Sequence, residues 1–375
     1  MNAAGSGGKG EVKHETPGTS FAAPVVTGAI ALLMEHFRGQ LGNTEIVKRV
    51  VNTANNRGRY AQLEIYGAGL LDLRAALQPV GTLVTGTPSR NGDAMVTGLR
   101  MPAAMGAFGH RLAASGVEVA SLDDLGAPFW STPEQFVYTT WLPTLAIPTF
   151  VEPESRNRGA LHLGFTPGTV DGPMAVNGVQ FLLGQDRIGL ERAPSDGFRW
   201  GMLWDGASWQ GGQASGAFGD RVRSMTAWVG RGSRIAINDE WTVRASATMA
   251  LGRVFLQSGS MLDIDTHALS SWDLGIERGE RGHGTWSRLS VSQPLRAESG
   301  RGRFTYLAGL RDGAQYYDHA TVSLAPEGRE VAVAFTHETP IGPGRSVFSA
   351  AHAWDAGHEP GRTHSRVGVF YQVNW

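Results

Sequence analysis

The chain contains no cysteine, which excludes a disulfide-stapled scaffold and any zinc–thiolate site. Charge is scarce: Asp, Glu, Lys and Arg make up 18% of the 375 residues, below the roughly 25% usual in globular proteins. Lysine is confined to Lys9, Lys13 and Lys48. The net charge of -1 provides no electrostatic footprint for nucleic acid. Long apolar runs are missing too. The longest, Phe21–Met34, has 14 residues and contains Pro24, Thr27 and Gly28, against the ~20 of a membrane-spanning helix. It reads as a buried core helix. The first eight residues, Met1 to Gly8, lack the basic start and apolar core of a secretory signal. With 41% hydrophobic residues, the chain is not compositionally disordered.

Glycine and tryptophan are present in excess. The 51 glycines are about twice the usual share of ~7% and have no three-residue period. Together with 11 tryptophans, they suit a β-rich protein with many turns. Helical patterning is restricted to the first 80 residues. An apolar helix is expected from Thr19 or Ser20 to about Phe37, and apolar character on all sides implies burial on all sides. A second helix is expected over Thr44–Ala54, with Ile46, Val47, Val50, Val51 and Ala54 on one face, and a short piece over Asp72–Leu77. Residues 81–155, rich in proline and glycine, read as an irregular connector. Beyond them, period-2 runs recur between turn signals. Phe198, Trp200, Met202 and Trp204 share a face, and Trp241 to Leu251 alternates over 11 residues. Shorter runs lie at Trp272–Arg278, Phe304–Gly309, Val331–His337 and Val347–Trp354, and the last run ends at Trp375. Such a pattern fits a membrane barrel, apolar side outward, or a soluble sandwich, apolar side inward. Periodicity alone does not choose.

The segment with chemistry in it is Gly18-Thr19-Ser20-Phe21-Ala22-Ala23-Pro24. A serine in the first turn of a helix sits at the positive end of the helix dipole. Its N–H is one of the helix's unpaired donors and could help hold an oxyanion. Gly18 permits close backbone approach, and Pro24 is tolerable only near a helix start. An ordinary capped helix would need only Thr19 or Ser20. The longer motif, followed by Val25-Val26-Thr27-Gly28, closely resembles the nucleophile segment of subtilisin-like serine peptidases (subtilases). Glu45-Ile46-Val47-Lys48 through Asn52-Thr53-Ala54 resembles the family's next helix. Tyr66-Gly67-Ala68-Gly69-Leu70-Leu71-Asp72 resembles the turn ending its catalytic domain. The resemblance covers about residues 15–80. It implies serine endopeptidase chemistry on a polypeptide substrate, an acyl-enzyme on Ser20, and no cofactor or metal.

There is a departure as well. Subtilases carry Asp, His and Ser in that chain order, but the 19 residues before Ser20 hold no aspartate and one histidine, His14, outside any family motif. A serine without its base is a weak nucleophile. The expectation is a C-terminal piece of a subtilase, inactive alone. Ten histidines follow Ser20, none in a motif of its own, and the His352, His358, His364 spacing is not a metal motif. In the second half, Ser215-Gly216-Ala217-Phe218-Gly219, Ser292-Gln293-Pro294-Leu295-Arg296 and Gly357-His358 look like the β-domain of autotransporter subtilases, and the terminal strand is similar to that of bacterial outer-membrane barrels. The overall expectation is a mixed fold. A partial α/β subtilase segment, mainly helices, spans residues 1–80, the connector 81–155, and an antiparallel β-domain of barrel type 156–375. The implied location is the outer membrane or surface of a bacterium, with membrane association through the β-domain and no nucleic acid. The competing reading is a non-enzymatic outer-membrane barrel or translocator with a vestigial peptidase segment.

Overall fold

The computed structural model describes residues 2–5, 14–139, 174–176, 179–184, 186–192, 197–281 and 283–373. In chain order, strands β1 (Asn2–Gly5) and β2 (His14–Pro17) precede helices α1 (Thr19–His36), α2 (Asn43–Asn52), α3 (Leu63–Tyr66) and α4 (Leu73–Ala76). Then come β3 (Val84–Thr87), β4 (Arg90–Asp93), β5 (Gly98–Met101), α5 (Phe108–Ala114), β6 (Val119–Leu122), β7 (Pro128–Ser131) and β8 (Val137–Thr139). The rest is β-structure: β9 (Met174–Val176), β10 (Val179–Gly184), β11 (Arg187–Arg192), β12 (Phe198–Asp205), β13 (Gln213–Ser215), β14 (Arg223–Ala236), β15 (Trp241–Phe255), β16 (Leu262–Ile264), β17 (His267–Glu280), β18 (His283–Ala297), β19 (Arg301–Arg311), β20 (Ala314–Ser323), β21 (Val331–Ile341), β22 (Gly344–Trp354) and β23 (Thr363–Val373). The chain divides into two compact units. One comprises residues 1–96, 118–131 and 306–318, and the other the remainder.

In the first unit, Leu33 and Phe37 from the end of α1 pack with Ile46 and Val50 of α2, Ala76 of α4 and Ala127 beside β7. The expected helices are present, but α1 is not buried all round. Ala29 and Leu33 are its buried residues, whereas Phe21, Val25, Leu32 and Met34 are exposed. Among the described residues only one side of the helix is covered. On α2 the apolar face also divides: Ile46, Arg49 and Val50 are buried, and Val47 and Val51 are exposed. Positions three and four apart share a stripe on a helix, so 46, 49 and 50 face the core while 47 and 51 lie on the next stripe. Gly69, at φ +120, leaves no room for a side chain, because a Cβ there would come within 2.5 Å of the Asn55 carbonyl oxygen. Asn55 and Leu70 exchange main-chain hydrogen bonds across this approach.

Residues 84–139, expected as irregular connector, carry regular structure. Strands β4-β3-β6-β7 form a four-stranded sheet, and β5 pairs with both β8 and β13. The strands are only three or four residues long, too short to display a readable alternation. The remainder of the expected connector, 140–155, lies outside the described residues.

The second unit is dominated by one antiparallel sheet of 11 strands, ordered β9-β10-β11-β12-β14-β15-β17-β18-β21-β22-β23. Its longest members, β15 and β18, have 15 residues each. All the longer alternating runs found in the sequence are strands of it except Phe304–Gly309, which lies in β19. Short connections after β14, β17 and β21 mark one end of the sheet, and longer connections at 206–222, 256–266, 298–330 and 355–362 mark the other. Strands β9 and β23 are the outermost, and no pairing joins them among the described residues. With 11 alternating directions they run the same way, so an antiparallel ladder would not join them directly. A large antiparallel sheet is present; a closed barrel is not seen among these strands.

The two faces of the sheet are opposite to those of a soluble sandwich. Trp200, Met202 and Trp204 of β12, Met225 and Val229 of β14, Met249 and Leu251 of β15 are exposed, as are Leu274, Leu289, Phe335, Phe348, Val367, Val369 and Tyr371 on later strands. Register places these residues side by side across the sheet, with Trp204 opposite Met225, Val229 opposite Met249, Leu289 opposite Phe335, and Phe348 opposite Val369. The alternate face buries Glu191, Asp205, Thr226, Thr248, Glu277 and Glu338. Its charges are paired: Arg187 with Asp205 at 2.8 Å, Arg244 and Arg288 with Glu277 at 2.7 and 2.9 Å, and Arg345 with Glu338 at 2.5 Å.

Candidate nucleophile and the motif clusters

Ser20 lies in the first turn of α1, exposed, behind an extended Gly18 at φ 169 and ψ 137. Phe21 N–H bonds to the Gly18 carbonyl at 3.2 Å, and no side chain caps the helix. Among the described residues the Ser20 N–H has no acceptor, as expected for the second residue of a helix. That leaves a free donor and a hydroxyl at the positive helix end. Among the described residues no imidazole or carboxylate is bonded to Ser20. His36, in the last turn of the same helix, lies 16 residues on, about 24 Å along the axis at 1.5 Å per residue. It stacks edge-on against Phe37 at 4.6 Å. His14 belongs to β2, opposite Gly5. Alongside α1 runs an open apolar groove lined by Val25, Gly28, Ala29, Leu32, Leu71 and Leu73.

Residues 8–69 match the model of the Subtilase family. This is the region holding Ser20, α1, α2 and the Gly67–Gly69 turn, so the subtilase segment is supported at family level. No curated protein and no solved structure matches the chain.

Sequence reasoning missed the residue that ties the subtilase segment to residues 119–131. Arg49, on α2, is fully buried and pairs with the equally buried Asp123 at 2.7 Å. Its other nitrogens donate to the carbonyls of Ala76 and Gln78 at 2.5 Å each. The guanidinium lies 5.1 and 5.4 Å from the ring centres of Phe37 and Phe129. Asp123 accepts further bonds from the N–H groups of Val80, Leu125 and Ala127. A buried pair with its lone pairs and protons satisfied in this way offsets its desolvation. The only signal for it in the sequence is that position 49 falls on the Ile46–Val50 stripe.

Two of the three phrases in the second half meet in space. His358 is buried, at φ +60. Its Nε2 donates to the Leu295 carbonyl at 3.0 Å, and its Nδ1 accepts the Glu330 N–H at 3.0 Å. These partners assign the neutral tautomer. Burial, with Arg296 and Arg329 nearby, pushes its pKa down to about 4, against the opposing hydrogen bond to Leu295. Arg296 donates to the carbonyls of Pro326 and Gly328 at 2.6 and 3.1 Å, and pairs with Glu298. Glu298 also holds Arg329 at 2.9 Å and Ser270 Oγ at 2.6 Å. These bonds clasp the end of β18 to the loop before β21 and the turn before β23. The third phrase turns sharply at Gly216 and Gly219, with φ +60 and +96, and buries Ala217 and Phe218, the latter 6.2 Å from Phe304. His352 bonds instead to Ser365 Oγ at 2.6 Å.

Proposed function

We propose that residues 174–373 form the lipid-embedded β-domain of an outer-membrane protein of autotransporter type, and that the subtilase segment belongs to its serine-peptidase region. The observation that carries this reading is the exposed apolar face of the 11-stranded sheet, set against a buried face of paired charges. Exposed apolar surface on this scale is costly in water, and it is the surface lipid requires. Alternation with apolar residues outward is the pattern of membrane strands, and 14–15 residues in β14, β15, β17 and β18 exceed the ~9–11 needed to cross. Closure into a barrel would need a strand beyond the 11 described, giving the even number usual in bacterial barrels.

For the peptidase region, the chemistry is acyl transfer on Ser20: attack of Oγ on a peptide carbonyl, with the free N–H at the helix start as one oxyanion donor. Among the described residues none is paired with Ser20 as a base, so we expect hydrolysis by this chain alone to be negligible. The test is fractionation of expressing bacteria. Recovery in the outer membrane with heat-modifiable migration supports the β-domain reading, and recovery as a soluble monomer refutes it.

A further inference from the structure

The arginines of the sheet lie on both of its faces. On the buried face, Arg187, Arg244, Arg288 and Arg345 are held by carboxylates. Arg192, Arg223, Arg231 and Arg253 are exposed on the apolar face, and what sets Arg223 and Arg253 apart is that they are neighbours and that, among the described residues, neither meets a carboxylate. They stand on adjacent strands at one end of the apolar band. Arg223 is directly opposite Phe255, and Arg253 directly opposite Met225, so the two arginines are diagonal neighbours, within reach of a single small anion. Aromatic rings back them. Arg253 lies over the Phe255 ring at 5.3 Å, and Phe255 contacts Trp204 at 5.5 Å. Trp204 is itself the cross-strand neighbour of Met225. At the other end of the band, by contrast, Arg278 lies over Trp241 but is neutralised by Glu240 at 3.0 Å.

From this juxtaposition we infer that Arg223 and Arg253 bind the phosphate of an anionic lipid headgroup, at the end of the sheet that carries the long connections. The inference rests on the membrane reading above and adds a partner to it. A pair of uncompensated guanidiniums would be costly inside a hydrocarbon band, but at its rim they meet the headgroup layer. The planar, forked donors of arginine suit phosphate oxygens. Trp204 and Phe255 place amphipathic and apolar rings at the depth where aromatic belts sit. A free phosphate ion would gain the two charges but not the acyl-chain contact with Met225, Trp204 and Phe255, so the occupant is the lipid and not the ion.

The experiment refolds the full chain into phosphatidylcholine vesicles and into vesicles that also contain phosphatidylglycerol, scoring insertion by heat-modifiable migration. Wild type is expected to insert into both and to favour the anionic vesicles. R223Q and R253Q are each expected to lower that preference about fivefold, since one basic residue near an anionic surface contributes about that factor. R223K/R253K is expected to retain most of the charge-driven preference while losing the forked contact. Inorganic phosphate added to the aqueous phase is expected to leave the preference unchanged at matched ionic strength. Insertion into both kinds of vesicle with no loss of preference in either glutamine variant overturns the headgroup site and leaves the membrane reading standing. Suppression by inorganic phosphate also overturns it, by making the occupant a free ion. Failure of wild type to insert into any vesicle overturns the membrane reading, and the headgroup site with it.

Discussion

Replacing Ala227 by arginine separates lipid from water as the surroundings of the apolar face. On β14 the outward row runs Arg223, Met225, Ala227, Val229, Arg231, with Ala227 four residues from either arginine and directly opposite Met202 and Leu251. At ~3.3 Å per residue and a strand tilt of ~40°, it lies about 10 Å from each arginine, in the middle of the apolar stretch between them. Ala227 is exposed, so in water A227R should change stability by no more than about 0.5 kcal/mol. In the middle of a bilayer the same change costs about 2–4 kcal/mol. Ser233, also exposed, lies two residues beyond Arg231, and S233R should cost only about 0–1 kcal/mol. The assay is urea titration of the full chain folding into phosphatidylcholine vesicles, followed by heat-modifiable migration and tryptophan emission. The expected order is A227R much less stable than S233R, with S233R near wild type. Equal and negligible effects at both positions would refute the assignment of this face to lipid.

Three further outcomes are expected. The isolated chain should show no labelling by a serine-directed fluorophosphonate; labelling that disappears in Ser20→Ala would show that a working base reaches Ser20 after all. Arg49→Met should destabilise the first unit by about 3–5 kcal/mol, because it strands Asp123 and two carbonyls in a dry core; hydrogen exchange of α2 and residues 119–131 reads this, and a loss under about 1 kcal/mol would contradict the geometry. His358 has a folded pKa of about 4, below its ordinary 6.5, so the unfolded chain binds the proton first. Stability is therefore full above pH 6.5 and falls by about 3 kcal/mol as pH drops towards 4. In His358→Gln that part of the acid sensitivity should be absent from urea unfolding curves, and an unchanged pH slope would remove His358 from the account.

Much of this molecule was legible one residue at a time. The Gly-Thr-Ser-Phe-Ala-Ala-Pro run marked Ser20 at a helix start, and α1 and α2 begin and end within a residue or two of their expected limits. Strand β15 was readable because its period of two persists for many residues. The strands of 84–139 were not, since each is too short to set up a pattern. Arg49 was missed because a charged residue on an amphipathic helix is usually solvated, and its burial depends on Asp123, 74 residues away. The same holds for Leu295 and His358, 63 residues apart, whose contact is made only when β18 and the turn before β23 come together.

The sequence by itself determined the start of the helix that carries Ser20 and the alternation of the strands, because these depend on residue identity and short-range spacing. It could not determine which side of the alternation is buried. A strand with apolar residues on one face and polar residues on the other reads identically in a sandwich and in a membrane, because the period of two fixes relative orientation and not the surroundings. Only the tertiary structure, by pairing Arg244 and Arg288 with Glu277 on one side and leaving Met249 and Leu251 uncovered on the other, decided which face turns outward.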